Sequence, residues 1–112
     1  MFNPASMYDA FGGNIVTMIL GKQPLRGRDL LVPSPATTRY LKEVPPSEDY
    51  TVRLLPPSTQ FASDTMIVGD IVSLFAYDDQ QTIIRIENKN ITDAFRAWFE
   101  ILWLASSPVP KK

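Results

Sequence analysis

Proline is the residue that most limits how this chain folds. The 112-residue sequence contains ten prolines, and six of them form three close groups: Pro33 with Pro35, Pro45 with Pro46, and Pro56 with Pro57. Proline fixes φ and lacks an amide hydrogen, so neither a helix interior nor a central strand continues through such a group. The sequence therefore predicts short helices and strands separated by turns.

The first half of the chain contains recognisable starts of helices and strands. An asparagine and a serine, each directly before a proline, predict helices over 4–11 and 35–43. Runs of β-branched and apolar residues predict strands over 14–20, 29–32 and 50–55. These segments are short, and we expect a mixture of helices and strands.

A hairpin is the clearest local signal in the second half. Gly69-Asp70 forms a two-residue connection in which glycine supplies the positive φ that such turns need. We therefore expect strands over 65–68 and 71–77 to pair with each other. Residues 71–77 are apolar on both faces, which is typical of a central strand. A last strand is predicted over 82–87, and we expect the sheet to end there.

The longest predicted helix covers 90–106. Asn90 is its expected N-cap, and Pro108 follows its end. At roughly 100° per residue, five apolar side chains lie within about 40° of one line along this helix: Ile91, Phe95, Trp98, Leu102 and Ala105. We expect this stripe to pack on the sheet.

Trp103 and Leu104 depart from that pattern. Both lie more than about 100° from the centre of the stripe, so a helix docked by the stripe would leave them near solvent. Other parts of the chain, such as 1–12 or the proline-rich tail, are one way to cover them. A subunit interface is the other, and a homodimer is its simplest form. The interface candidates are Phe99, Trp103 and Leu104.

Together these elements predict one domain over 1–112. The expected class is α/β, with α+β as the alternative, and the expected architecture is a mixed sheet of four to six strands with the terminal helix on one face. The helix within 1–12 and the proline and lysine tail at 107–112 are expected to be peripheral. Apolar residues make up 45% of the chain and charged residues 21%, which is ordinary for a globular domain.

The residue inventory excludes several kinds of chemistry. Cysteine and histidine are both absent, which removes disulfides, thiolate nucleophiles, the usual zinc sites and histidine bases. Carboxylates remain, for example Asp78-Asp79, Glu48-Asp49 and Glu87, but none has a catalytic partner at a diagnostic spacing. We therefore expect no enzyme, no catalytic set, no metal and no cofactor. A carboxyl group with a strongly raised pKa in a cleft is what an enzymatic alternative would require.

Charge and hydropathy narrow the choice of partners. A net charge of −1 provides no attraction to phosphate backbones, so we expect no direct contact with nucleic acid. The longest apolar run near the end, 101–105, is far shorter than the roughly 20 residues that span a bilayer. We therefore expect no membrane association and a cytoplasmic location.

Charged side chains near predicted strand ends are the candidates for ligand binding. The loop before the second predicted strand contains three cations, and a solvated connector is the ordinary explanation for such a loop. Its functional alternative is contact with a sugar or sugar phosphate, because guanidinium groups bind anions in a bidentate manner. Carboxylates suit hydroxyl-rich ligands, so two aspartates join the cations as candidates. The full set is Lys22, Arg26, Arg28, Arg39, Asp64 and Asp70.

Five short motifs of the second half resemble a known family. They are Arg53-Leu-Leu-Pro56, Phe61-x-Ser63-Asp64, Ile67-x-Gly69-Asp70, Ile84-x-Ile86-Glu87-Asn88-Lys89 and Ala94-Phe95-Arg96-x-x-Phe99-Glu100-x-Leu102-Trp103. Over roughly 30–104 the chain is similar to the C-terminal effector domain of TrmB-like transcriptional regulators. The resemblance implies part of a phospholipase-D-like mixed fold that senses small molecules, often sugars, or supports dimerisation.

Two departures limit what this resemblance implies. The matched region is not preceded by the winged helix that binds DNA in that family, and the histidine of the phospholipase-D motif is missing. We therefore expect a non-catalytic domain for small-molecule sensing, dimerisation or both, with a separate DNA-binding protein or domain as a partner. The alternative is a small adaptor that docks a larger protein through its C-terminal helix.

Overall fold

The computed structural model describes residues 1–13, 26–77 and 81–110. In chain order its elements are α1 (Pro4–Phe11), β1 (Gly27–Leu31), α2 (Pro35–Glu43), β2 (Tyr50–Leu54), β3 (Ser63–Val68), β4 (Ile71–Ala76), β5 (Thr82–Glu87), α3 (Lys89–Ala105) and β6 (Ser107–Pro108). The chain belongs to the α+β class, and its C-terminal helix packs against the sheets, as expected. The predicted strand over 14–20 lies outside the described residues.

Side-chain caps start the first two helices where the sequence predicts them. The Asn3 side chain accepts a hydrogen bond from the amide of Ala5 at 3.0 Å, and the Ser34 hydroxyl accepts one from the amide of Thr37 at 3.2 Å. In both helices proline follows the cap, where its missing amide hydrogen costs nothing. The helices predicted over 4–11 and 35–43 are both confirmed.

Within the described ranges, six strands form two three-stranded sheets. In the first, with order β1-β2-β6, β1 and β2 are parallel and α2 lies in the connection between them. In the second, with order β3-β4-β5, all neighbours are antiparallel and the Gly69-Asp70 hairpin joins β3 to β4. The second sheet ends at β5, as expected. The expectation that 82–87 is the last strand is wrong, because the short β6 pairs with β2 in the first sheet.

Residues 1–3 lie between the two sheets and hydrogen bond to both. The amide of Phe2 donates to the carbonyl of Leu30 at 3.0 Å, and Val32 donates to the carbonyl of Phe2 at 3.1 Å. On the other side, Met1 and Thr65 exchange two backbone bonds of 2.8 and 2.9 Å. This short segment runs parallel to β1 and antiparallel to β3, so it joins the two sheets into one nearly continuous layer.

Helices cover both faces of that layer. On one face, α1 and α2 enclose a buried cluster of Leu31, Tyr40, Tyr50 and Val52. On the other face, Phe99, Leu102 and Trp103 of α3 pack on a cluster of Leu30, Val32 and Leu55. Consecutive residues of β1 enter opposite clusters, as the period-two geometry of a strand requires.

The start of α3 differs from the prediction. Asn88, not Asn90, is the N-cap, and its side chain accepts a hydrogen bond from the amide of Ile91 at 3.0 Å. Asn88 has the extended backbone of a strand end, because it directly follows β5 and its amide bonds to the carbonyl of Asp70. Asn90 therefore falls inside the first helical turn.

The packed face of α3 is also rotated from the predicted stripe. Trp98 is 56% exposed and Ile91 is 42% exposed, whereas Trp103 packs against the buried cluster below the helix. The prediction that the helix docks by the stripe, which would leave Trp103 near solvent, is wrong: Phe99 and Trp103 stack on the packed face with ring centres 5.7 Å apart. Leu104 is exposed, as predicted.

A candidate ligand cleft between the sheets

A cleft of about 720 Å³ opens between β1 and β3. Residues 26–29 form one wall and residues 64–68 form the wall opposite. α3 contributes aromatic side chains, including Phe95, Trp98 and Phe99. The volume falls within the range of about 300–1,000 Å³ that is typical of small-molecule sites. We call this region the cleft.

Asp29 and two tyrosines form the polar centre of the cleft. The Tyr50 hydroxyl donates to Oδ2 of Asp29 at 3.0 Å, and the Tyr40 hydroxyl lies 2.9 Å from the Tyr50 hydroxyl. Since the hydrogen of Tyr50 is used on Asp29, Tyr40 must be the donor in the second bond. The amino group of Met1 lies 3.6 Å from Oδ1 of Asp29. β1 and β2 bring these groups together through the pairing of Asp29 with Val52 and of Gly27 with Tyr50.

Asp64 forms a second polar group at the start of β3. One of its carboxylate oxygens accepts from the Tyr77 hydroxyl at 2.9 Å, and the other accepts from the backbone amide of Asn3 at 3.3 Å. The Asn3 side chain in turn donates to the carbonyl of Phe61 at 2.7 Å. Asp64 is therefore tied to both the hairpin sheet and the segment that joins the sheets.

Burial changes the acidity of both carboxyl groups. Desolvation raises the pKa of Asp29, against the opposing effects of the Met1 amino group and the Tyr50 hydroxyl; the charge of Asp64 adds to the rise. Desolvation likewise raises the pKa of Asp64, against the Tyr77 hydroxyl and the Asn3 amide. Raised carboxyl pKa values in a cleft are a feature of acid–base enzymes. Here each carboxylate is held by a tyrosine hydroxyl and a nitrogen of the N-terminal segment.

Arg28 fixes α3 against the other end of β1. Its guanidinium donates to both carboxylate oxygens of Glu100, in one case at 3.2 Å. The same guanidinium lies 5.1 Å from the ring centres of Phe99 and Trp103, within range of a cation–π contact. The Glu100 bond raises the pKa of Arg28 and lowers that of Glu100. The positively charged guanidinium of Arg28 is thus held at this end of the cleft.

The structure brings three of the predicted ligand residues together. Arg26, Arg28 and Asp64 all line the cleft. Arg39 does not, because it bonds to Glu43 at 3.0 Å and its guanidinium lies over the ring of Tyr8 on the outer surface of α1 and α2. Asp70 does not line the cleft either, because it lies exposed at the hairpin turn. Lys22 lies outside the described residues.

The sequence interpretation missed Asp29 and Tyr50. A signal for Asp29 existed, because aspartate is rare in strands and this one directly precedes the apolar Leu30-Leu31 pair. No local signal joins it to Tyr50, which is 21 residues further along the chain. Their contact depends on the parallel pairing of β1 with β2.

Two further features of the described residues bear on function. Histidine, cysteine, aspartate and glutamate side chains form no group of three or more that would hold a metal ion in the described part of the chain. None of the helices described is long and apolar enough to cross a membrane.

Comparison of the chain with protein-family models, with curated proteins and with solved structures finds no match. Function is therefore argued from the site.

Proposed function

We propose that this chain is a non-catalytic regulatory domain that senses a small hydroxyl-rich molecule, such as a sugar or sugar phosphate, in the cleft. One observation carries the proposal: Arg26, Arg28 and Asp64, three side chains chosen from the sequence alone, line the same cleft as the partly buried Asp29. Convergent polar groups in an otherwise apolar cleft are typical of ligand sites.

The chemistry of the walls supports a hydroxyl-rich ligand. Carboxylates such as Asp64 accept hydrogen bonds from hydroxyl groups, and the guanidinium groups of Arg26 and Arg28 donate to hydroxyl or phosphate oxygens. The rings of Phe95 and Phe99 offer apolar faces on the α3 side. A ligand with a polar rim and a flat apolar face would satisfy both kinds of wall.

The family resemblance supports the same function. Effector domains of TrmB-like regulators sense small molecules or support dimerisation, and the motifs that carry the likeness include Asp64 and Phe99. A regulatory domain of this kind acts on gene expression through a separate DNA-binding protein or domain in the cytoplasm. Both the partner and the location are part of the proposal.

A thermal-shift screen with sugars and sugar phosphates tests the proposal. A ligand at one hundred times its Kd adds about 2.7 kcal/mol to the free energy of unfolding and, for a domain of this size, raises Tm by roughly 10 °C. Asp64→Asn should reduce the shift, because a neutral amide binds a hydroxyl donor less strongly. Asp70→Asn, an aspartate on the same hairpin but outside the cleft, is the matched control and should retain the full shift.

Two results would count against this function. One is a screen in which no compound changes Tm. The other is a ligand whose effect is reduced equally by Asp64→Asn and Asp70→Asn, because that would locate binding elsewhere.

The outer face of α3 favours a second candidate, an adaptor or dimerisation domain. Trp98 is 56% exposed, Ile101 is 64% exposed and Leu104 is 85% exposed, all along one side of the helix. An exposed row of large apolar side chains on a helix is typical of a protein-binding surface. The predicted homodimer is one form of this candidate, and docking to a larger protein is the other.

Light scattering on the purified chain tests this candidate. Ile101→Glu should convert a dimer to a monomer, because it buries a charge in the interface. Ile83→Glu, an equally exposed isoleucine on β5, should leave the mass unchanged. If the wild type is a monomer and binds no partner protein, the outer face of α3 is not a protein-binding surface.

A further inference from the structure

The outer edge of β5 lies at one end of the layer that the two sheets form. Its neighbour on the inner side is β4, and no residue of the described ranges pairs with its other side. Five of its six residues are exposed, among them Ile83 and Ile84. An exposed strand edge with apolar side chains is a site for pairing with another chain.

The opposite end of the layer is protected against such pairing. There the edge strand β6 contains Pro108, and Pro110 follows it, so two positions lack the amide hydrogen that a further strand would need. Proteins commonly blunt an exposed edge with proline, lysine or a bulge. β5 contains neither proline nor lysine, three of its six residues are isoleucine, and its register with β4 has no bulge. This contrast indicates that the β5 edge is used for pairing.

Chain connectivity restricts what else could cover the outer edge of β5. Residues 78–80 only join β4 to β5. Residues 14–25 join Gly13 to Arg26, which precedes β1, and β1 lies five strand positions away from a strand added to β5. That distance is about 24 Å across the layer, and roughly seven residues are needed to span it. The rest of this segment is too short to pair along β5 and return to Gly13.

The backbone groups of Arg85 and Glu87 point out from this edge. The amide of Asn88 bonds to the carbonyl of Asp70 at 3.2 Å, and this pair continues the register of β4 with β5. Asn88 therefore faces β4, and so does Ile86, because the backbone direction alternates along a strand. The amides and carbonyls of the intervening Arg85 and Glu87 face away from β4 and are available to a further strand.

Charge selects one register for pairing with a second copy. Outward backbone groups meet in a two-fold antiparallel pair only when the axis passes through a single residue of β5. With the axis at Ile86, Arg85 lies opposite the partner's Glu87 and Glu87 lies opposite the partner's Arg85. With the axis at Arg85, two arginines face each other, which is unfavourable. With the axis at Ile84, Arg85 faces Ile83 of the partner subunit and gains no opposite charge.

We propose that two copies of this chain form a symmetric dimer by antiparallel pairing of β5 with β5, centred on Ile86. Arg85 exchanges both backbone hydrogen bonds with the partner's Glu87, and Glu87 does so with the partner's Arg85. At the axis, Ile86 contacts the partner's Ile86. The inference goes beyond the proposed function, because this interface involves neither the cleft nor the outer face of α3.

The surroundings of β5 suit this dimer. α3 begins at Lys89, directly after β5, and runs toward β1 and β2, where Trp103 packs on the buried cluster. The helix therefore leaves the edge, and the two-fold axis directs the partner's helix away in the same manner. The side chains of Arg85 and Glu87 are 64% and 72% exposed and lie 4.0 Å apart within one chain. In the dimer, four charges of alternating sign meet on one face of the paired strands.

Charge-exchange variants of the full chain test the proposal by light scattering over a range of concentrations. The wild type should dimerise, and Arg85→Glu should raise the dimer Kd by about tenfold, because it places two glutamates opposite each other twice. Arg85→Glu combined with Glu87→Arg restores opposite charges and should restore the wild-type Kd. Lys42→Glu makes the same change of charge at an exposed position of α2 and should leave the Kd unchanged.

Amide hydrogen exchange tests the edge itself. The amides of Arg85 and Glu87 should exchange slowly at concentrations well above the Kd and rapidly on dilution to the monomer. The amide of Ile86, which faces β4, should stay protected at both concentrations and is the internal control. Slow exchange of Arg85 and Glu87 in the monomer would mean that the edge is already covered within one chain, against the proposal.

Three further results would overturn the proposal. The first is a wild type that stays monomeric at every concentration. The second is a dimer that Arg85→Glu leaves intact and Ile101→Glu dissociates, which would locate the interface on the outer face of α3. The third is a dimer that Arg85→Glu weakens and the double exchange does not restore. Ile83 lies outside the paired positions, so Ile83→Glu serves as a control for both interfaces. None of these results depends on whether a sugar shifts Tm.

Discussion

At the scale of single residues, the Tyr50 hydroxyl connects the polar groups of the cleft. It donates to Asp29 and accepts from Tyr40, and the residue as a whole is 4% exposed. Water has little access to the Tyr40 and Tyr50 side chains, so each hydroxyl depends on its protein partner. Desolvation raises the pKa of both tyrosines well above the usual value of 10.0, and they stay protonated donors at neutral pH.

Replacing Tyr50 should therefore be costly. Tyr50→Phe leaves the Asp29 carboxylate and the Tyr40 hydroxyl without their bonds, and it should lower the free energy of unfolding by about 1–3 kcal/mol. Tyr8→Phe is the control, because the Tyr8 hydroxyl bonds to Glu43 on the exposed surface at 2.8 Å. Its effect should stay within about 0.5 kcal/mol in urea denaturation. Equal effects of the two changes would mean that the buried hydrogen bonds of Tyr50 stabilise the fold no more than the exposed bond of Tyr8.

Asp29 should make stability depend on pH. Its pKa in the folded chain lies above the ordinary value of 3.8, so the folded state keeps the proton to higher pH than the unfolded chain. The contribution of this proton to stability is complete below the unfolded pKa and is lost as pH rises through the folded pKa. As pH rises from about 4 to about 7, the Tm of Asp29→Asn should therefore fall less than the Tm of the wild type. Parallel Tm curves for the two proteins would contradict the raised pKa.

At the scale of elements, local signals predicted where most helices and strands begin. Helix caps, the hairpin glycine and β-branched runs act within a few residues, and the caps at Asn3 and Ser34 are both confirmed. The face on which α3 packs was not predictable in this way. The helix has apolar residues around most of its circumference, so its own pattern does not decide between Trp98 and Trp103. The contacts of Trp103 with the distant β1 and β2 decide it.

The corrected start of α3 gives a test at this scale. Asn88→Ala removes the side chain that accepts from the amide of Ile91 and should lower the free energy of unfolding by about 1 kcal/mol. Asn90→Ala replaces a residue inside the first turn by a better helix former, so its effect should stay within about 0.5 kcal/mol. Chemical denaturation measures both. A larger loss from Asn90→Ala would restore the original assignment of the cap.

At the scale of the whole molecule, the cleft lies between β1 and β3, beside the residues 1–3 that join the two sheets. The sequence predicted a mixture of helices and strands, with α+β as the alternative to α/β, and placed three cleft residues on a candidate list, since charged residues at strand ends are recognisable locally. It did not predict which strands are neighbours. The bonds from Met1 and Asn3 to residues 61–65 span about sixty positions, and no local pattern reports a pairing of that separation.

The most direct test of the central claim is an amide chemical-shift titration of the chain with a sugar or sugar phosphate that raises Tm. A regulatory ligand in the cleft should move the amide signals of Arg28, Asp64 and Thr65 in a saturable manner and leave Leu104 on the outer face of α3 unchanged. Saturable shifts confined to the outer face of α3, with the cleft signals unmoved, would contradict the account.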